Sequence, residues 1–323
     1  MSNTYKIIFL IISVILFSGC TPKLTVKALQ PAKITSEKIN NIEIERFGND
    51  YINQTNSIEE KIANRIIDNK KVFNITNNAD AILTGEVQRS TLDYNIYYEH
   101  KIDYGRCRVF RVEGKNKTKT CVEYYSRLIP CEDREYFVST KVRVLKPSTQ
   151  SILFTKTYEK SRNIRQCFDY YYYPYHSFTR NKREINSALA KQIASDIIDD
   201  ISPHYKYYDL EIVDSFDTKN LKVTSKQKEA LDKIADLIEE NRFTTAKELL
   251  EALDFQFKSK SWEVLYNLGL IEEASNNLYN AKKHYENAKI NVKEIDALEL
   301  INNSIQRTQK NLEEKIKAKS QLP

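Results

Sequence analysis

The chain has 323 residues, enough for two domains that each bury a core of their own. Its formal charge of +6 is dispersed among interleaved Lys and Asp/Glu, with no basic face and no recognisable module, so no nucleic-acid partner is expected. Six isolated glycines (Gly19, Gly48, Gly85, Gly105, Gly114, Gly269) against 21 tyrosines exclude phosphate-loop and dinucleotide chemistry, which needs clustered Gly for close backbone approach.

Lys6 precedes an apolar run from Ile7 to Phe17, followed by Ser18, Gly19 and Cys20. This order of charge, short apolar stretch and small-residue cleavage site is that of a signal peptide. The run is far shorter than the roughly 20 residues that span a bilayer as a helix. The segment resembles a bacterial lipobox, although Phe17 stands where that group prefers Leu. The resemblance implies that residues 1–19 are a lipoprotein signal peptide and that Cys20 carries diacyl and palmitate-type lipid. Loss of Lys6 leaves the mature chain at +5. An ordinary secretory signal with a coincidental cysteine is the alternative. Thr21 and Pro22 follow, with no Asp at the second mature position, which in enteric-type sorting implies the outer membrane, facing the periplasm.

Residues 20–40 show no clear period and contain Pro22 and Pro31, so they are expected to be a tether. Ile42–Phe47 alternates apolar and polar residues and predicts a strand. Ser57 with Glu60 forms a capping-box pattern at the start of a helix carrying Ile58, Ile62 and Ile66. Val72–Thr76 and Ala81–Gln88 read as strands, the second running on as an extended ribbon through Tyr98. Arg106–Tyr158 is a succession of β-type runs, and Val138–Val144 with Ile152–Tyr158 predicts an antiparallel hairpin. A helix from Lys182 to Ile201 places Ile185, Leu189, Ile193 and Ile197 on one face, and Tyr207–Val213 adds an edge strand.

Four cysteines follow Cys20: Cys107, Cys121, Cys131 and Cys167. An exported chain with an even count reads as two disulfides, with three pairings available. Cys107 and Cys121 lie seven residues either side of Gly114 in one apparent turn. Cys131 and Cys167 lie eighteen either side of Thr149 in another. This symmetry predicts Cys107–Cys121 and Cys131–Cys167. Zinc is the rival reading, without CxxC or paired-His spacing to support it.

Together these elements predict an α+β domain over 41–215, with a mixed or antiparallel sheet and flanking helices. Ile42–Phe47, Ile58–Asp68, Val72-Phe73-Asn74-Ile75 and Ala79-Asp80-Ala81-Ile82-Leu83-Thr84-Gly85-Glu86-Val87 resemble, in order and in the last motif, a group of envelope lipoproteins. That group includes the curli-secretion lipoprotein, peptidoglycan-synthase activators and TolB amino-terminal-like domains. The resemblance covers roughly Ile42 to Ser202 and implies a role in assembling or supporting an envelope machine. The long cysteine-bearing ribbon departs from the compact members.

From 224 to 323 helical spacing dominates. Asn241–Leu250 and Asn276–Tyr285 resemble each other with Ala246 and Ala281 35 apart, and Leu268-Gly269, Ala281, Tyr285 and Ala288 fall at tetratricopeptide spacings. A short, capped tetratricopeptide-like all-α domain is expected; an unrelated helical hairpin is the alternative.

The four histidines are isolated, no nucleophile sits beside a base, and neither a catalytic residue, a metal nor a cofactor is expected. The run Tyr170, Tyr171, Tyr172, Tyr173 and Tyr175 is a candidate binding surface, since stacked tyrosines serve at interfaces. Packing over the ribbon is its structural alternative. The expected function is a non-enzymatic, lipid-anchored scaffold or assembly factor acting through envelope protein partners, with homo-oligomerisation as a further expectation, in secretion, flagellar-accessory or cell-wall machinery. The alternative is a lipoprotein that captures glycan or peptide through the tyrosine loop.

Overall fold

The computed structural model describes residues 22–113, 118–168, 178–217 and 221–323. It is a mixed α/β structure with a helical C-terminal region, divided into two compact units. One is built on residues 32–203 and the other on 22–31 with 204–320.

The sheet unit begins with β2 (Asn41–Ile44), numbered after the strand β1 (Lys23–Gln30) of the helical unit. Helix α1 (Gln54–Ala63) follows, then a minimal hairpin of β3 (Ile66–Ile67) and β4 (Lys70–Lys71). The left-handed Asp68 and Asn69 form that hairpin's turn, a conformation these two residue types tolerate. β5 (Asn74–Ile75), β6 (Ala81–Glu113), β7 (Thr118–Leu145), β8 (Ile152–Cys167) and helix α2 (Phe178–Ile201) complete the unit. The sheet order is β5-β2-β6-β7-β8, with β2 parallel to both neighbours and the other pairs antiparallel.

Both helices cover one face. Ile58 and Ile62 of α1 and Leu189, Ile193 and Ile197 of α2 are buried with Ile42, Leu83, Val138, Val142 and Val144 of the sheet. Each such side chain contributes about 1.5–3 kcal/mol by leaving water. The buried Gln54 joins the layers: its Nε2 donates to the Ala190 carbonyl (3.0 Å), and its Oε1 accepts from Thr140 Oγ1 (3.2 Å). Close approach fixes Gly85, where an added Cβ would lie 2.4 Å from the Lys141 carbonyl oxygen and 2.5 Å from the Phe47 ring.

In the helical unit β1 pairs antiparallel with β9 (His204–Glu211), from Lys23↔Glu211 to Gln30↔His204. Five helices follow: α3 (Ser225–Glu239), α4 (Phe243–Phe257), α5 (Trp262–Ala274), α6 (Leu278–Asn291) and α7 (Ile295–Gln321). Thr224 caps α3 in a reciprocal capping box with Gln227. Leu24, Val26 and Leu210 of the strands enter one core with Leu231, Leu250, Val264, Leu268 and Ile301. Gly269 lets α5 and α6 meet, since an added Cβ would stand 2.6 Å from the Tyr285 ring.

Four sequence expectations are corrected. The segment 20–40 is not wholly a tether, because Lys23–Gln30 alternates exposed and buried residues and forms β1. The final strand does not extend the five-stranded sheet; it pairs with β1, so the boundary falls near residue 204 rather than 215. Helix α1 begins before the Ser57–Glu60 pattern, because Asp50 caps it: its carboxylate accepts from the Gln54 (2.7 Å) and Thr55 (2.8 Å) amides. Ser57 instead donates its hydroxyl to the Asn53 carbonyl. The Val72–Thr76 strand shrinks to Asn74–Ile75.

Two outcomes follow. Burial works against the Asp50 charge, but the amides and hydroxyl at Thr55 and the Gln54 amide outweigh it and hold the carboxyl below its ordinary value. Its contribution is therefore complete above the unfolded carboxylate pKa and lost as pH falls through the folded one. Asp50→Ala should cost about 1–2 kcal/mol in urea melts at pH 7, and that gap should close as pH drops below about 4. Gly85→Ala should lower stability by about 3 kcal/mol, with chemical denaturation as the check.

Candidate functional site

β8 ends at Cys167, opposite Cys131, but β6 and β7 run on together from Tyr97↔Cys131 to Glu113↔Thr118. The result is a two-stranded ribbon roughly 40 Å long at about 3.3 Å per residue. Among the described residues neither of its outer edges pairs with another strand. Its two faces differ because residues opposite each other across a ladder share a face. The pairs Tyr94↔Arg134, Ile96↔Glu132, Tyr98↔Pro130, His100↔Leu128 and Ile102↔Ser126 continue the face that, lower down, holds Leu92↔Tyr136 and Ser90↔Val138. There α2 covers it, with Asn186 Nδ2 donating to Ser90 Oγ (2.9 Å) and the Thr91 carbonyl.

Farther along, the apolar residues emerge into solvent. Tyr94, Ile96, Ile102 and Leu128 are exposed, and Tyr98 and Tyr104 reach 65% and 73%. Tyr104 stacks edge-on against Tyr124, with centroids 5.2 Å apart. A bulge sets Tyr104, Gly105 and Arg106 outside the ladder, because Asp103 accepts from the Gly105 amide (3.1 Å) and Arg106 Nε (2.7 Å). The Arg106 hydrogen bond chiefly holds the Asp103 carboxyl below its ordinary value. The opposite face carries Asp93, Asn95, Glu99 and Lys101 around the buried Ile129, and there Glu99 pairs with Arg165 and the Arg165 guanidinium lies 5.4 Å from the Tyr97 ring centroid.

An isolated two-stranded ribbon is marginal in water. Here disulfides fasten it at both ends: Cys131–Cys167 where the third strand stops and Cys107–Cys121 towards the far end, with Cα atoms 4.0 and 5.7 Å apart. A loop of the shorter one's size restricts the unfolded chain by about 3 kcal/mol in the chain-entropy account. Next to Cys131 the buried Glu132 takes Arg134 Nε at 2.7 Å, with its second oxygen and the Tyr136 hydroxyl left without partners.

The sequence-predicted residues are distributed as follows. The structure contains the disulfide pairing that the turn symmetry suggested. Cys20 and the tyrosines Tyr170, Tyr171, Tyr172, Tyr173 and Tyr175 lie outside the described residues. Glu99, Cys131 and Cys167 bring three donor atoms within 4.8 Å of one another, but both sulfurs are spent in a disulfide and offer no thiolate. His284 is partly buried, with Nδ1 unpartnered, and burial pushes its pKa down.

In the helical unit the inner side of α5 is occupied by the chain itself. Helix α5 faces the chain's own extended segment. Asn267 accepts from the Val213 amide (3.1 Å) and donates to the Val213 carbonyl (2.7 Å). Tyr266 donates to the Glu211 carbonyl (3.1 Å), and Glu263 accepts from the Asp217 amide (2.7 Å). Burial pushes the Tyr266 hydroxyl up to about 12. Glu273, buried at the other end of α5, accepts from Tyr208, Tyr285 and Arg307 at 2.8–3.0 Å, uniting β9, α6 and α7. Burial opposes the Arg307 charge, but Glu273 outweighs it and raises the guanidinium pKa. The stripe Glu263, Tyr266, Asn267 and Glu273 follows helical spacing, yet its partners lie tens of residues away in sequence.

No protein-family model matches the chain, and no curated protein matches it. Among solved structures, the chain is similar to protein XCC0632 from Xanthomonas campestris, a DUF330 protein, at 10% identity over 52% of this chain and 84% of that one. The TM-score is 0.27, too low for the likeness to carry an argument.

Replacing Cys107 and Cys121 by Ser should leave the melting of the sheet core unchanged while limited proteolysis within 98–130 quickens at least tenfold. Equal cleavage rates would show that the ribbon holds itself. Glu273→Ala strands the Arg307 charge and should cost about 3–5 kcal/mol by chemical denaturation.

Proposed function

We propose that this chain is a non-enzymatic, lipid-anchored envelope protein that works as a scaffold or assembly factor, held to the outer membrane through Cys20 and facing the periplasm. The carrying observation is the disulfide-fastened ribbon with its exposed stripe of Tyr94, Ile96, Tyr98, Ile102 and Leu128. Contiguous apolar surface on a monomer marks an interaction site, and tyrosine suits protein contacts because its hydroxyl still needs a partner. Open ribbon edges add main-chain donors and acceptors, so the partner that fits is an envelope protein offering an exposed strand. Two disulfides agree with export to an oxidising compartment.

The sequence resemblance of Ile42–Ser202 to the curli-secretion, synthase-activator and TolB amino-terminal-like lipoproteins supports the same reading. So does a short tetratricopeptide-like character of the helices, for which the Gly269–Tyr285 approach and the buried Ala246, Ala281 and Ala288 are the physical grounds. The inner face of those helices already holds residues 208–217, so the partner contact is assigned to the ribbon.

A photo-crosslinking residue at Tyr98, illuminated in intact cells, should capture one discrete envelope partner, and the same residue at Lys141 within the sheet core region should not. Recovery of uncrosslinked monomer from both positions would contradict the reading.

A further inference from the structure

In sequence Cys20 lies three residues before β1. β1 begins at Lys23, and the Pro22 carbonyl already accepts from the Ile212 amide at 2.9 Å. Three peptide steps separate Cys20 from Lys23, a reach of at most about 11 Å. Because β1 and β9 are antiparallel, the direction leading back from Lys23 follows 211 to 213 and onward towards Asp217. That stretch is fixed along α5 by Asn267 and Glu263, so it leads to the end of the helical unit where α5 starts at Trp262.

This end has a distinctive surface. The α4–α5 and α6–α7 connections meet there, joined by Asn291 Nδ2 donating to the Ser259 carbonyl (3.0 Å), and Phe216 packs against Phe257 with centroids 5.3 Å apart. A cleft of ≈ 240 Å³ opens between Trp262, Lys260, Ile290 and Lys293. Around it, Phe255, Ile290 and Ile295 are 87%, 80% and 81% exposed. Lys258, Lys260, Lys289 and Lys293 surround them, long side chains that can lay their stems on apolar surface while keeping the ammonium in water. Exposed aliphatics ringed by lysines, over a half-buried tryptophan, are the composition of a surface seated at a membrane interface. Asp217, Glu263 and Glu294, which line the same cleft, together with Asp296 balance the four lysines, so the seating depends on the anchor and the apolar residues rather than on anionic lipid.

We infer that the end of the helical unit formed by residues 255–262 and 289–296 rests on the bilayer that receives the Cys20 lipid, which makes this unit a membrane-seated base. The inference rests on the proposal that Cys20 is lipidated. Trp262 is the chain's single tryptophan; it lines the cleft while packing partly against the core with its indole N–H buried, so it reports the contact from just beneath this surface.

The test uses the full lipidated protein in phosphatidylcholine vesicles containing a nitroxide-labelled lipid that quenches at headgroup depth. Trp262 emission should fall by roughly half relative to label-free vesicles, as an interfacial tryptophan would. Inserting about 20 Gly/Ser residues between Thr21 and Pro22 frees the unit from the surface and should remove most of that quenching. Ile290→Asp with Ile295→Asp, both solvent-exposed, should reduce it at least twofold while the protein still floats with vesicles. Equal quenching in the native and linker forms, or none in either while both float, would overturn the seating and leave the lipid anchor intact. Mass spectrometry finding no acyl group on Cys20 would overturn the anchoring proposal, and the seating with it.

Discussion

Among the described residues the β6–β7 ladder outruns the strands and helices that support it, and that constraint shapes the sheet unit. Up to Leu92↔Tyr136 the two strands lie in a sheet packed by α1 and α2, with Leu83, Val87, Tyr136 and Val138 buried; exposure begins at Tyr94 and Ile96, before β8 ends. Beyond that point they continue with the same alternation and, among the described residues, no helix over them, so Tyr98, Ile102 and Leu128, which would be core, are surface. A pair of strands in that position frays unless it is crosslinked. The disulfides sit where the mechanics require them, one at the last support from β8 and one beyond the bulge at Asp103.

The helical unit solves the opposite problem. Its inner face would be an open trough, and the chain fills it with its own β1–β9 pair and the segment after it. Glu273 is buried at the junction, where a lone carboxylate would be prohibitive; two tyrosine hydroxyls and a guanidinium make it tolerable. Asn267 performs the equivalent service for the Val213 backbone, whose amide and carbonyl would otherwise be buried without partners.

Much of the fold was legible because it rests on local signals. The α2 stripe Leu189, Ile193 and Ile197 declares its buried face at helical spacing, and the cysteines declare their pairing through the turns around Gly114 and Thr149. β1 was also written locally, as Leu24, Val26 and Ala28 at alternate positions, but Pro22 and Pro31 on either side made the stretch read as a linker. The cap on α1 was missed because Asp50 acts across a left-handed Asn53, a geometry that the Ser57–Glu60 pattern masks. The contacts of Asn267 and Glu273 were not legible at all, since their partners at Val213 and Arg307 are set by tertiary packing. The exposed stripe was half visible: the β-type run was plain, but whether Tyr98 and Leu128 were covered depended on where α2 and β8 stop.

The central claim is that the ribbon serves contact rather than folding. The most direct measurement removes residues 99–129, joins the strands with an Asn-Gly turn, changes Tyr94, Ile96 and Tyr98 to Thr, and compares melting and native-gel mobility of envelope extracts with the intact protein. The account predicts a melting temperature within about 2 °C of the original and loss of the high-molecular-weight envelope complex. A complex that persists without the ribbon, or a sheet unit that no longer folds, would contradict it.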